Sequence, residues 1–396
     1  KALCNPARRH APFRLTVWVS LPRRPALHAA GEGFPIEEGG KRESMLYAKT
    51  KRMASLLCVL LLVLACFGCS APAGGTEKGQ IYLYGELHSV PEIKQKEFEI
   101  WNHYYHEKGM RHLFVEYSYF MAEYLNQWMQ AEDDAILDQI YQNIEGTAGH
   151  SQATLDFLHS IKENCPETIF HGTDVGHQYW STGQQYLADL EAAGQQDSEQ
   201  YRLAQENIEQ GETFYGDPSK GEADFAYREN AMVENFRRAY DALPKGTSIM
   251  GIYGNAHVWV YEKDYSTGTV PCMAGQLRET YGGDLHTLDL GFADDVSAVG
   301  TTETVTLNGK EYTAVNLGAS KGMQFWQVLD AYEDVKDLPK AIYSFRCASY
   351  PCSVKEGEVF IIDTTLQDGT VERRYYRADD LEQARTPVTV GFTVEE

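Results

Sequence analysis

From residue 80 onward, short apolar runs alternate with longer amphipathic stretches. Ile81-Tyr82-Leu83-Tyr84-Gly85 is a run of β-formers closed by glycine, with Glu86 and His88 just beyond it. Such a run predicts a buried strand breaking into a loop. Residues 112–116 and 249–257 repeat the device, and 168–174 and 285–290 read as two further strands. Between them, apolar positions recur at helical spacing over residues 92–107, 119–142, 150–163, 222–243 and 273–281. Pro91 suits the first turn of the first of these helices. Residues 178–210 are Gln/Glu-rich and poor in apolar side chains, which predicts an exposed helical insertion or lid. Strands alternating with helices imply a mainly parallel sheet flanked by helices, an α/β fold.

The pattern changes after Ala293. Asn308-Gly309 and Asp368-Gly369 each stand between alternating strands and predict two hairpins. Residues 325–335 suggest a helix, and 388–394 alternate like an edge strand. This part reads as a small β-rich C-terminal module. The expected division is a spurious or disordered extension over 1–44, a lipoprotein signal over 45–69, a tether over 70–79, an α/β domain over 80–292 and the β-rich module over 293–396.

Composition sharpens this picture in two places. The 396-residue chain is 43% hydrophobic, 12% aromatic and carries a formal charge of −22. Residues 1–68 hold eleven of its 35 Lys/Arg and four of its 57 Asp/Glu, so the remainder stands at −29. An acidic body lacks the basic footprint that nucleic acid requires. Near the start, Lys49, Lys51 and Arg52 precede the apolar run 53–68, a basic segment followed by an apolar core, as in an export signal. The run closes on Gly68-Cys69, which resembles a bacterial lipobox with Cys69 as the lipidated residue. The expectation is an exported lipoprotein of a bacterium, held to a membrane or cell surface through Cys69. Four further cysteines, Cys165, Cys272, Cys347 and Cys352, would then meet an oxidising compartment, and Cys347-Ala-Ser-Tyr-Pro-Cys352 is a candidate disulfide loop.

Candidate chemistry sits at the strand ends. Gly85-x-x-His88 and Gly254-x-x-His257 place two imidazoles after two strands, where parallel sheets bind ligands. Each can serve as a neutral metal ligand or as an acid/base group. Glu86 and Glu116 close apolar strands and can orient an imidazole, bind a cation or act as base. Arg228 shares a helix face with Met232 and Asn235, so it needs a carboxylate or an anionic ligand. No Gly-x-Ser-x-Gly elbow and no phosphate loop is present.

In order along the chain, Gly85-Glu86-Leu87-His88, Glu116, Gly172-Thr173-Asp174, Arg228-Glu229-Asn230-Ala231-Met232 and Gly254-Asn255-Ala256-His257 resemble the ChaN/Tiki/TraB/erythromycin-esterase-like superfamily. The resemblance covers roughly residues 80–290. It implies His88, Glu116 and His257 as the core of a site, Glu86 as a supporting base or ligand and Arg228 as an oxyanion stabiliser. Its branches imply different activities. Tiki-like members resemble metal-dependent proteases, which would make His88, Glu116 and His257 ligands of Mn, Co, Fe or Zn. Erythromycin-esterase-like members open a lactone with a histidine base, and ChaN-like lipoproteins are tied to haem or iron. The reading that follows is a hydrolase taking a small-molecule or peptide substrate, with a haem-binding lipoprotein as the alternative.

Overall fold

The computed structural model describes residues 79–216, 224–381 and 386–394. The expected export signal, the expected lipidation site at Cys69 and the expected extension before them lie outside these residues. Five strands form the first sheet: β1 (Ile81–Glu86), β2 (His112–Ser118), β3 (Ile169–Asp174), β4 (Ile249–Gly254) and β5 (Leu285–Asp289). Their order is β3-β2-β4-β1-β5, and every pairing is parallel. All five carboxyl ends therefore open on one side.

The helices are α1 (Pro91–Glu107), α2 (Tyr119–Gln130), α3 (Ala135–Asn143), α4 (Gln152–Asn164), α5 (Gln184–Ala192), α6 (Glu199–Tyr215), α7 (Phe225–Asp241), the single turn α8 (Asn255–Val258) and α9 (Met273–Tyr281). They cover both faces of the sheet. Tyr82, Tyr84, Val115 and Ile252 pack with Trp101 of α1, Trp128 of α2 and Phe157 of α4. Ile81, Leu83, Phe114 and Tyr253 face the other way, against Met232 and Phe236 of α7 and Leu277 of α9. Alternate residues of each strand thus enter opposite cores, and β1 is buried along its whole length. The long helix expected over 119–142 is broken by the acidic segment Glu132-Asp133-Asp134.

Residues 178–210 are not a loose lid. A five-residue π-helix (Tyr179–Gly183) leads into α5 and α6. The main chain of α6 lies directly on the loop after β3, because a Cβ at Gly176 would strike the Asn207 carbonyl and one at Gly211 the Gly176 carbonyl. Asn207 then bolts the helix down: its Nδ2 donates to Asp174 O at 2.8 Å and its Oδ1 accepts from Tyr119 N at 2.9 Å.

The C-terminal part is a seven-stranded antiparallel sheet: β6 (Thr302–Leu307), β7 (Lys310–Ser320), β8 (Met323–Val328), β9 (Lys340–Arg346), β10 (Val359–Thr365), β11 (Val371–Arg377) and β12 (Val388–Phe392). Its order is β6-β7-β8-β10-β11-β12-β9. Both expected hairpins form. Asn308 and Gly309 take φ of 49° and 76°, the backbone that makes Asn-Gly a tight hairpin turn. Two expectations are corrected. Residues 323–328 form β8, because Lys321 and Gly322 turn the chain back along β7, and only Tyr332–Val335 is helical. Residues 388–392 are an interior strand, since β9 pairs outside them and forms the edge.

The two sheets meet along β5. Leu288 bridges to Cys352, Asp289 N donates to Pro351 O at 2.7 Å, and Ser353 N to Thr287 O at 3.3 Å. The local disulfide does not form. Cys347 is a buried thiol hydrogen-bonded to Tyr261, while the bridge to Leu288 draws Cys352 along β5. Among the described residues no helix is long and apolar enough to cross a membrane.

Candidate active site

β1 ends at Glu86, and a short turn with Ser89 at φ 63° carries His88 out before α1 begins. Glu86 is clamped from two sides. Its Oε1 meets His88 Nδ1 at 2.6 Å, and its Oε2 is bonded to the buried Lys94 Nζ, which also reaches Glu97 Oε2 at 3.0 Å. Burial alone would raise the Glu86 carboxyl, but Lys94 and His88 bring it down to about 2. Glu97, fully buried and crowded by Glu86, is pushed well above the usual range. The hydrogen bond to Glu86 raises His88, against its partial burial. With Nδ1 committed, Nε2 is the working atom, and the side chain is 40% exposed at the mouth of a cavity of about 200 Å³.

Glu116 enters from β2 through a bulge. Val115 pairs with Gly172, but Ser118 pairs with Asp174, so β2 carries one extra residue at this point. A bulge re-aims the side chains within it. Gly172 permits it, because a Cβ there would collide with the Ser118 carbonyl. Glu116 Oε1 accepts from Arg228 Nη2 at 2.6 Å, and Oε2 accepts from the Gly254 N–H. Arg228 also forks onto Asp174, Nε to Oδ1 at 2.9 Å and Nη2 to Oδ2 at 2.6 Å. Burial would lift Glu116, but His257 and Arg228 hold it well below the usual carboxylate range.

His257 lies on the first turn after β4. Its Nδ1 meets Glu229 Oε1 at 2.7 Å, and its Nε2 is 3.4 Å from Glu116 Oε1. Glu229 is fixed in turn by the Met273 N–H at 2.6 Å. Burial opposes charge on His257, yet Glu116 and Glu229 raise it to about 10, so it is an imidazolium at neutral pH. That is above the ordinary 6.5, so the stabilisation it brings is complete below 6.5 and is lost as pH rises through about 10. The urea midpoint of the wild type should fall across that range, and that of His257→Gln should not. Equal slopes in the two proteins would show that His257 is neutral.

The structure therefore gathers all five residues expected from the sequence: Glu86, His88, Glu116, Arg228 and His257. It sets Asp174 of the Gly172-Thr173-Asp174 motif against Arg228 and adds Glu229, Lys94 and Glu97. Gly254 leaves room for close approach: a Cβ there would lie 3.1 Å from both His88 Nε2 and Glu116 Oε2, which would have to give way slightly. Gly254→Ala should preserve the fold and cost at least about tenfold in turnover by wedging these groups apart. Unchanged kinetics with a folded variant would mean that the gap is not used.

The donor set does not fit a resident divalent metal. Both oxygens of Glu116 are already engaged, and a guanidinium stands 2.6 Å from the oxygen that His88 and His257 approach. Among the described residues no three His, Cys, Asp or Glu side chains are arranged to hold an ion. The cavity lining combines Glu86, Lys94, Glu116, Asp174 and Arg228 with the apolar Val115, Met121, Ile144, Phe157 and Ile252.

No family model and no curated protein matches the chain. Solved structures do. A Bacillus cereus protein is 19% identical, at TM-score 0.39, over 54% of this chain and 65% of its own, just under two thirds of that protein's length. One of the others is an erythromycin esterase. That mutant enzyme, in its open conformation, is 14% identical at TM-score 0.39 over 53% of this chain and 69% of its own. A succinoglycan biosynthesis protein is 13% identical at TM-score 0.36 over 69% and 86%. An erythromycin esterase is thus among the structures to which this chain is similar. At these identities and scores the likeness adds nothing to the strand order and site geometry already described.

Proposed function

We propose that the chain is a metal-independent hydrolase of ester or lactone bonds, with His88 as general base. The observation that supports this most directly is the Glu86–His88 pair. A carboxylate fixed by a buried lysine holds one ring nitrogen, and the other faces a cavity. That is how a positioned imidazole is made to take a proton from water. Charge balance favours the same step. Glu86, Glu116, Asp174 and Glu229 face only Lys94, Arg228 and His257 as cations, so a proton arriving at His88 neutralises the cluster. Water attacks the carbonyl carbon as its proton passes to His88 Nε2, and the carbonyl oxygen takes up the electron pair. Arg228 has Nε and Nη2 engaged; Nη1 is the donor left to meet that oxyanion. Collapse expels the alcohol, which recovers the proton from His88.

The test is a panel of an activated ester, a six-membered lactone and a peptide, each assayed before and after exhaustive chelation. Turnover of ester or lactone that survives chelation supports the reading. Activity restored only by a divalent ion, or confined to the peptide, would overturn it.

A further inference from the structure

A second cavity, of about 240 Å³, opens at the carboxyl end of β5 and shares no lining residue with the first. Its walls are the segment after His257, the end of β5 and the Cys347–Cys352 loop of the C-terminal module. Trp259, Tyr261, Phe292 and Tyr350 make it aromatic. Asp289 and Glu262 are its acidic groups, and no Lys, Arg or His lines it.

We propose that this cavity binds a small organic ammonium ion, held by the Asp289 carboxylate against the Trp259 indole. Asp289 is 6% exposed. Its Oδ2 accepts from Trp259 Nε1 at 2.9 Å and from Asn255 Nδ2 at 3.5 Å. Its Oδ1 has no hydrogen-bond partner. The main-chain N–H groups of Gly291 and Phe292 come near enough to lower its pKa but are not aligned on that oxygen. A buried acceptor without a donor is unfavourable, and native proteins rarely leave one so. Each carboxylate of the first site that stays charged has a cation beside it. Asp289 has none, and burial raises its pKa, the expected sign for an acid lacking a counter-charge.

The aromatic walls say what kind of donor is missing. Trp259 is 40% exposed, and its N–H bond to Asp289 holds the indole beside the acid. Indole is the strongest cation–π partner among side chains. Arg278 already sits 5.3 Å from the Tyr261 ring centroid, Tyr350 packs on Phe360 and Phe292 on Phe325, so among the described residues Trp259 is the lining aromatic left for a ligand. A carboxylate beside an unshared indole, in a cavity with no basic residue, selects a cation carrying N–H groups and a compact apolar body. A cavity of about 240 Å³ has room for a small organic cation, since one of about 150 Å³ already takes benzene. None of this depends on what the first site does.

The test is calorimetric titration of the full chain with n-propylammonium chloride, and with n-propanol as a neutral molecule of the same shape. Saturable binding of propylammonium is expected, about tenfold or more tighter than propanol. Asp289→Asn should abolish it, and Trp259→Leu should weaken it severalfold. Binding should also strengthen as pH rises and Asp289 loses its proton. No binding, equal binding of propanol, or unchanged binding by Asp289→Asn would each overturn the proposal. If Asp289→Asn fails to fold, the wild-type contrast and Trp259→Leu decide, because Trp259 is half exposed and its replacement leaves the cores intact.

Discussion

Replacing His88 by glutamine should lower kcat/KM for an ester substrate by about two to four orders of magnitude, the usual worth of a positioned general base. Glutamine keeps a polar side chain near Glu86 but cannot carry the proton. The fold should survive, because the His88 side chain is 40% exposed and belongs to no apolar core. The pH profile then separates a base from a structural histidine. His88 must be neutral to act, and its pKa lies above 6.5, chiefly through the hydrogen bond to Glu86. Activity should therefore rise with pH, with a midpoint above 6.5. Glu86→Gln removes the cause of that shift, so the rise should move to lower pH as well as weaken. Stability carries the opposite sign: a raised histidine pKa contributes fully below 6.5 and loses its contribution above the folded value. A His88→Gln enzyme within a factor of about three of the wild type would remove His88 from the mechanism.

Arg228→Met should be the most destabilising substitution in the site. The guanidinium is 13% exposed and bridges two carboxylates, Glu116 and Asp174, that are 10% and 5% exposed. Deleting it leaves Asp174 buried without a counter-charge and Glu116 with His257 as its remaining cation, and removing one partner of a buried pair costs about 3–5 kcal/mol. The loss should grow as pH rises from acid to neutral, because the stabilisation that Arg228 gives the depressed Glu116 carboxyl is present at neutral pH and is lost as pH falls. Arg228→Lys should fall between, since a lysine supplies charge but not the planar fork. Urea unfolding at two pH values measures all three proteins. A methionine variant as stable as the wild type at neutral pH would show that the acids are solvated or already protonated.

Much of this was legible in the sequence because strand ends are marked twice. An apolar run stops at glycine or a carboxylate, and parallel strands bring those stops to one side. Glu86, His88, Glu116 and His257 could therefore be named without knowing the strand order, and Arg228 from its place on a buried helix face. Lys94 and Glu97 could not. They sit at helical core spacing with Trp101 and Tyr104, where the periodicity argues for apolar side chains, and only the fold shows that Glu86 meets them there. Glu229 was hidden beside Arg228, because neighbouring helical residues point in different directions and its partner lies in another element. β9 escaped because none of its residues is buried and an apolar one, Ile342, stands on its exposed side, which blurs the apolar/polar alternation that marks a strand. The polarity of residues 178–210 was real, but it marks the outer face of two anchored helices rather than a cover that opens.

The junction along β5 has one more consequence. The outer strand of a parallel sheet presents a row of unpaired peptide groups, which is a template for pairing with another molecule. Here residues 351–353 of the same chain take up the exposed edge of β5, through Asp289 N to Pro351 O and Ser353 N to Thr287 O. The β-rich module thus also works as an edge guard, and a protein cut after residue 292 would carry an adhesive border even with Glu86, His88, Glu116, Arg228 and His257 intact.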